Sequence, residues 1–308
     1  MNYEAMIAAA LGGPSCPRVS PAVKVLRARN GIDFPVLLCR EREHRPFRHY
    51  RPYTRGDCPL CARVDEGRVV PGIVPGMVWL PATYPIKSHH AICYPQEHRA
   101  SILHEDIENL GLFVDEASDA VVCLNMRGSA ASIPEHFHVQ VHDYGLPRDI
   151  APPPCESQSA FPLLTCPVEP FNTQDGLQLY RVPSYPAFAL LLKGPWKAVA
   201  EWLILYLVAS NQRPHNFALA SGGRLFVLPR GLEKAPSQEN RYGASEMLGL
   251  ITPVTVAAYE DIQSGELVCE ALRVCGLIDQ REILAVEEHA SWVLANAAVR
   301  KKVTGAES

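Results

Sequence analysis

From His136 onward the stretch SIPEHFHVQVHD (Ser132–Asp143) changes character at every residue. His136, His138, Gln140 and His142 fall on alternate positions, with Phe137, Val139 and Val141 between them. A period of two fits an extended strand, whose successive side chains point to opposite faces. One face is then apolar and belongs in a core, while the other presents three imidazoles and an amide. Such a polar row is costly to bury without partners, so it calls for a metal, a substrate or both. A chain with this segment has to build a sheet with one face against a core and the other face given to chemistry.

The surrounding sequence supplies the rest of that sheet. A strand is expected at Phe34–Glu41, and two more at Val78–Leu80 and Ala91–Tyr94, separated by a proline-containing connection. ILHEDIENLGLFVDEASDAVVCL has the apolar period of an amphipathic helix and runs into a strand near Val121–Asn125. Residues 147–167 (PRDIAPPPCESQSAFPLLTCP) are proline-rich and read as a linker. Beyond it the order repeats in outline. A strand at Ala187–Leu192 is followed by a long helix at Pro195–Ser210, strands at Asn216–Ala220 and Arg224–Pro229, and a helical C-terminus. The expected division is residues 1–150 for a catalytic half, 151–170 for the linker and 171–308 for a second half without the reactive row.

Composition narrows the partners. With 308 residues, 47% hydrophobic and 20% charged, the chain can bury a sizeable core. A net charge of -4 gives no electrostatic case for nucleic acid. The longest apolar stretch, Trp196–Ser210, carries Lys197 and Glu201 and falls short of a membrane span. The opening MNYEAMIAAALGGPSCP has too short an apolar run for a signal peptide and no basic leader. Ten scattered cysteines, several inside apolar runs, then suggest buried thiols in a reducing cytoplasm.

One cysteine pair has ligand spacing, Cys58-Pro59-Leu60-Cys61. A CxxC turn offers two thiolates to a tetrahedral Zn²⁺, and His98 and His136 can be nominated to complete the set. His89 and His90 are rival nitrogen ligands. A closed Cys₂His₂ site keeps no position for water and would be structural, fixing the histidine strand against the N-terminal loops. With His136 on the metal, His138 is available for chemistry on the same face. A neutral imidazole is a competent nucleophile towards phosphorus, provided that an acceptor on its other nitrogen fixes the tautomer. Gln140 could donate to a phosphate oxygen without becoming charged. The turn NMRGSAASIP could cradle the same phosphate through backbone N–H groups, the Ser132 hydroxyl and Asn125. His142 reads as a surface or supporting residue.

The pattern Asn125–x₆–Ser132–x₃–His136–x–His138–x–Gln140 resembles the active-site strand of galactose-1-phosphate uridylyltransferases. Those enzymes belong to the histidine-triad superfamily, with diadenosine tetraphosphate phosphorylases and GDP-hexose phosphorylases. The zinc-binding members use two CxxC cysteines, a histidine after a strand and the first histidine of the row, positions matched by Cys58, Cys61, His98 and His136. SHHAICYPQEH resembles the strand leading to the third ligand. GGRLFVLPRGLEKAP and YGASEMLGLITP are similar to the C-terminal half of the GDP-hexose phosphorylases. Two departures stand out. Glu135 is an extra residue before His136, as on the phosphorylase side, and Met126 and Ala130 replace glycines of the turn.

The resemblance implies an α+β fold of two histidine-triad-like halves, each an antiparallel sheet with packed helices. It implies a structural Zn²⁺ and a cytoplasmic nucleotidyltransferase or phosphorylase. The substrate would be a nucleoside diphosphate sugar or dinucleotide, and the acceptor phosphate or a sugar 1-phosphate. His138 would be the nucleophile and Gln140 the phosphate holder. A glutamine in third place implies transfer rather than hydrolysis. Arg230 and Lys234, in LPRGLEK, are candidates for the acceptor's anionic group. Uridylyltransferase-like proteins are often dimers, so a homodimer is among the expectations. Two other classes compete: a mononuclear metalloenzyme with His136, His138 and His142 as ligands, and a non-catalytic nucleotide-binding protein on the same fold.

Overall fold

The structure is a computed structural model that describes Tyr3, Ala5, Met6 and residues 22–43, 52–86, 89–145, 159–210, 213–235 and 241–304. Twelve strands are present among these residues, and ten of them form one sheet. In the first half β3 (Val70–Pro71), β4 (Met77–Pro81) and β5 (Ala91–Pro95) precede a helix, followed by β6 (Ala120–Asn125) and β7 (Val139–Asp143). In the second half β8 (Glu169–Gln174), β9 (Leu177–Arg181) and β10 (Leu190–Lys193) precede a helix, followed by β11 (His215–Ala220) and β12 (Arg224–Pro229). The sheet order is β3-β4-β5-β7-β6-β11-β12-β10-β9-β8, a two-fold arrangement about the β6–β11 seam. This is the α+β fold of two antiparallel halves that the resemblance implied. The seam is antiparallel, with Asn125 opposite Asn216 and Val121 opposite Ala220.

Three helices cover one face. The short α1 (Pro59–Asp65) lies apart, near the end of the sheet. The covering helices are α2 (His104–Glu116), α3 (Trp196–Ala209) and, after α4 (Ala244–Met247), α5 (Val256–Asp261) and α6 (Gly265–Cys275), the long α7 (Gln280–Thr304). In α2 the apolar Ile107, Leu110, Phe113 and Val114 recur at helical spacing and are buried. Asp106 accepts from the Leu103 N–H at 2.7 Å and stops fraying at its start. The α3 helix is apolar on most sides because it lies between α2, α7 and the sheet. Gly111 of α2 lets the Trp196 ring come close, since a Cβ there would lie 2.1 Å from the indole. Val122, Leu124, Val139 and Val141 belong to this core.

The opposite face carries Val121, Cys123, Ala218, Ala220, Phe226 and Leu228. It is covered by the hairpin of β1 (Val23–Arg27) and β2 (Asp33–Leu37), by the 160–164 turn, and by α4 and α6. The hairpin is anchored where Leu37 N–H donates to Ile251 O at 2.8 Å and Ile251 N–H donates to Pro35 O at 3.0 Å. Part of the proline-rich stretch expected as a linker lies in this layer. Phe161, Leu163 and Leu164 are buried, and Pro162 starts a 3₁₀ turn where its missing N–H is not needed. Residues 147–158 of that stretch are outside the described residues. A third, smaller core gathers Cys58, Leu60, Cys61, Val78, Leu80 and Tyr94.

Candidate active site and metal centre

The CxxC turn takes its shape from the start of α1. Cys58 precedes the helix in an extended conformation, Pro59 supplies the first helical position, and Cys61 falls on the same side three residues later. His98 lies in the connection leaving β5, and His136 in the turn leading to β7. Sγ of Cys58 is 3.4 Å from Nδ1 of His136, and Sγ of Cys61 is 3.5 Å from it. Sγ of Cys61 is also 3.3 Å from Nδ1 of His98. All four ligand atoms lie within 4.8 Å of one another. Bonds of about 2.0–2.3 Å to a central Zn²⁺ would set tetrahedral edges of roughly 3.3–3.8 Å.

The donor set fits a metal on chemical grounds too. The Nε2 of His136 is 2.9 Å from Pro95 O, a carbonyl that only accepts, so Nε2 carries the proton and Nδ1 turns a lone pair to the sulfurs. Burial lowers the His136 pKa to about 4, which keeps the ring a neutral ligand. Burial, followed by the nearby Cys58 sulfur, pushes the Cys61 thiol up to about 11. Two thiolates this close need a cation to exist at neutral pH, and a divalent ion would supply it. This cluster could hold a metal. Neither His89 nor His90 joins it; His90 Nδ1 accepts from the Ile86 N–H at 3.2 Å, and its ring packs on His142 with centroids 4.2 Å apart.

The histidine row keeps its phase, but the ladder starts later than the alternation suggests. The β7 strand begins at Val139, because Phe137 N–H donates to Arg99 O at 2.6 Å and His136 N–H to Ile133 O at 3.1 Å. Arg99 itself is held by Asp106 at 2.7 Å, so the exit of β5, the start of α2 and the approach to His138 are locked together. The His138 ring is 6% exposed. Its Nδ1 lies 2.9 Å from the carbonyl oxygen of His136. A carbonyl cannot donate, so Nδ1 holds the proton and Nε2 is the basic nitrogen. Gln140 is half-buried on the same face, opposite Cys123 of β6 and Ile92 of β5. His142 is wholly buried, where its Nε2 shares a 3.2 Å hydrogen bond with the Ser245 hydroxyl.

Asn125 stands one step beyond the Leu124–Val139 pair, beside His138. Its Oδ1 accepts from Nδ2 of Asn216 at 2.7 Å and from Ala244 N–H at 2.6 Å. Ser132 is exposed in the loop that follows β6. An Arg127–Glu135 ion pair of 2.8 Å ties that loop together and turns Glu135 off the row. Gly128 and Ala130 have φ of +77° and +69°, and Ala130 N–H donates to Glu233 at 3.3 Å. Ser129, not singled out by the sequence, is fully buried; its hydroxyl donates to His215 O at 2.6 Å. Lys234 is exposed next to Glu233. Arg230 is 5% exposed, with Nη1 2.6 Å from both Asn216 Oδ1 and Tyr242 O and Nη2 2.5 Å from Leu232 O.

In the second half β12 occupies the place of β7 and presents Phe226 and Leu228 on the site's face, so it carries no histidine row. Two antiparallel half-sheets joined edge to edge, with the histidine row on one of them, make the α+β fold that the resemblance implied. Among solved structures the chain is similar to yeast Ap4A phosphorylase Apa2. In complex with AMP the TM-score is 0.63 at 15% identity, covering 90% of this chain and 97% of that one. In complex with Ap4A it is 0.61 at the same identity, covering 98% of that chain. An ADP-glucose phosphorylase from Arabidopsis thaliana with bound ADP-glucose matches at 0.37 and 13% identity, over 83% of this chain and all of that one. At 15% identity the property shared with the Apa2 structures is the fold. No family model matches the sequence, and no curated protein does. No helix among the described residues is long and apolar enough to cross a membrane.

Proposed function

We propose that this chain transfers a nucleotidyl group through a covalent intermediate on His138. In the first step the Nε2 lone pair attacks the α-phosphorus of a nucleoside diphosphate sugar or a dinucleoside polyphosphate. A P–N bond forms, the P–O bond to the leaving group breaks, and the sugar phosphate or nucleoside polyphosphate departs with that electron pair. In the second step an oxygen of phosphate or a sugar 1-phosphate attacks the same phosphorus, and the P–N bond breaks. His138 Nδ1 keeps its proton on the His136 carbonyl throughout, which spreads the positive charge that develops on the ring. Gln140 and Asn125 would hold the phosphoryl oxygens by donating without titrating. The Ser132 hydroxyl and the adjoining loop would meet the next phosphate, and Lys234 the acceptor's anionic end.

The observation that carries this reading is the fixed tautomer of His138 next to a His136 already turned towards two sulfurs. The likeness of fold to an Ap4A phosphorylase supports it. In the same reading the four-residue cluster holds Zn²⁺ as a structural ion, which pins the His136–His138 segment from below. A metalloenzyme using His136, His138 and His142 has less support. Those three rings do not converge, and the only described group with converging ligand atoms is the Cys58, Cys61, His98 and His136 set.

The test is intact-mass analysis of the protein mixed in turn with nucleotide sugars and dinucleoside polyphosphates, each with and without phosphate. The expected result is a mass gain of one nucleoside monophosphate that is absent in His138→Ala and discharged by acceptor. Full turnover in that variant with no adduct in the wild type overturns the proposal.

A further inference from the structure

Across the seam, a run of hydrogen bonds has ends whose polarity leaves no choice. A guanidinium can only donate, so the Asn216 atom 2.6 Å from Arg230 Nη1 must be the oxygen. The other end of Asn216 is therefore its NH₂, which donates to Asn125 Oδ1 at 2.7 Å and to Ser129 O at 3.0 Å. The Ala244 N–H, also a donor, meets the same Asn125 oxygen at 2.6 Å. Amide orientation is usually ambiguous, but here two obligate donors determine both side chains. Asn125 is left with its NH₂ as the group able to meet an anion, next to His138.

Arg230 is an unusual residue to bury for packing alone. It is 5% exposed, and among the described residues no carboxylate comes within ion-pair distance of it. Its Nη partners are one amide oxygen and two backbone carbonyls. Burial lowers its pKa, and Glu246 and Glu233 act on it only from beyond contact. A buried cation without a contacting counter-charge is expensive, so the arrangement asks for a compensating use. A positive charge behind two aligned amides points their dipoles at the place where phosphate would sit.

We propose that Arg230 and Asn216, both from the half that lacks the reactive row, are positioning residues that turn the Asn125 amide towards the phosphate taken up beside His138. This rests on the nucleotidyl-transfer reading for the identity of the ligand. It also gives Arg230 a task other than direct contact with the acceptor.

The experiment is a double-mutant cycle on ligand affinity, read by titration calorimetry of the full chain with AMP, GMP and UMP as probes. Asn125→Ala, Asn216→Ala and Arg230→Met are each expected to weaken the tightest probe about tenfold, the scale of one hydrogen bond to a charged group. The Asn125→Ala/Asn216→Ala double variant is expected within about twofold of Asn125→Ala alone, because Asn216 acts only through Asn125. Asn216→Asp separates positioning from packing. It keeps the volume and gives Arg230 a counter-charge, yet presents an acceptor to Asn125, so affinity should fall about tenfold with no drop in Tm. Should Arg230→Met fail to fold, the Asn216 variants carry the test. Additive losses of about a hundredfold in the double variant, wild-type affinity in Asn216→Asp, or no mononucleotide bound by the wild type would each overturn the relay. Failure of the adduct experiment alone would remove the nucleophile and leave this affinity cycle standing.

Discussion

The strands β7 and β12 occupy matching places on either side of the seam, yet they end differently. In the first half the chain travels from β6 to β7 through the connection Met126–His138, which carries Ser129, Ala130, Ser132 and His136, whose ring faces the two sulfurs. In the second half β11 reaches β12 across Ser221–Gly223, with Gly222 and Gly223 at positive φ. A Cβ on Gly223 would lie 2.0 Å from Gly194 O, so that turn is closed down to the smallest residue. On the proposed reading, the chemistry of this face is owed to the long connection more than to the sheet. The strand only aims what the connection delivers, and the cysteine cluster keeps that connection in place.

The contrast can be broken most sharply at the paired strands. His138→Ala is expected to lower turnover by at least about 10³-fold with Tm nearly unchanged. At the matching strand, Phe226→Ala should keep adduct formation and lose about 3–5 kcal/mol in chemical denaturation, because Phe226 is core. The metal cluster comes next. Metal analysis should find about one zinc per chain, and its removal by chelation or Cys58→Ser should destabilise the fold by about 5 kcal/mol or more, read as a fall in Tm.

A third effect sits in the second half. His215 donates through Nδ1 to Arg213 O at 2.6 Å and accepts the Tyr206 hydroxyl at 2.9 Å through Nε2. Burial lowers its pKa to about 4. The unfolded chain, titrating near 6.5, then binds more protons than the folded one between those values, so stability rises with pH across that window. From pH 6.5 down to 4 this one group should remove about 3 kcal/mol, and His215→Gln should flatten that part of the profile in urea melts. The smallest effect is at Ala130, a non-glycine residue with φ of +69°. Ala130→Gly should relieve the left-handed strain and raise stability by about 1 kcal/mol or less, while the loop still closes on Glu233.

The sequence reading was strongest where one residue's chemistry or period decides the outcome. The phase of β7, the helices α2 and α3, and the association of Cys58 and Cys61 with His98 and His136 follow from side-chain type and spacing. The edge strands were missed for a physical reason. β8 is largely exposed, so its alternation is weak, although Asp175–Gly176, at φ of +48° and +80°, is a readable turn between it and β9. β10 is shifted to Leu190–Lys193 because the buried Ala187 and Ala189 extend the apolar run without joining the ladder. Asn216, Ser129 and the hydrogen-bonded state of Arg230 could not be read, because they depend on how the β6–β11 seam aligns Asn125 with a residue 91 positions away in the chain. Register between halves is a tertiary property, and local pattern carries no trace of it.

That seam also limits how the molecule can move. A run of main-chain bonds from Asn125–Asn216 to Val121–Ala220 makes a stiff spine, not a pivot, so the two halves cannot open and shut like jaws around a guest. On the proposed reading, admission and release of the nucleotide therefore fall to the connections above the strand ends, and changes in substrate preference should be sought there while the ribbed plate beneath stays as it is.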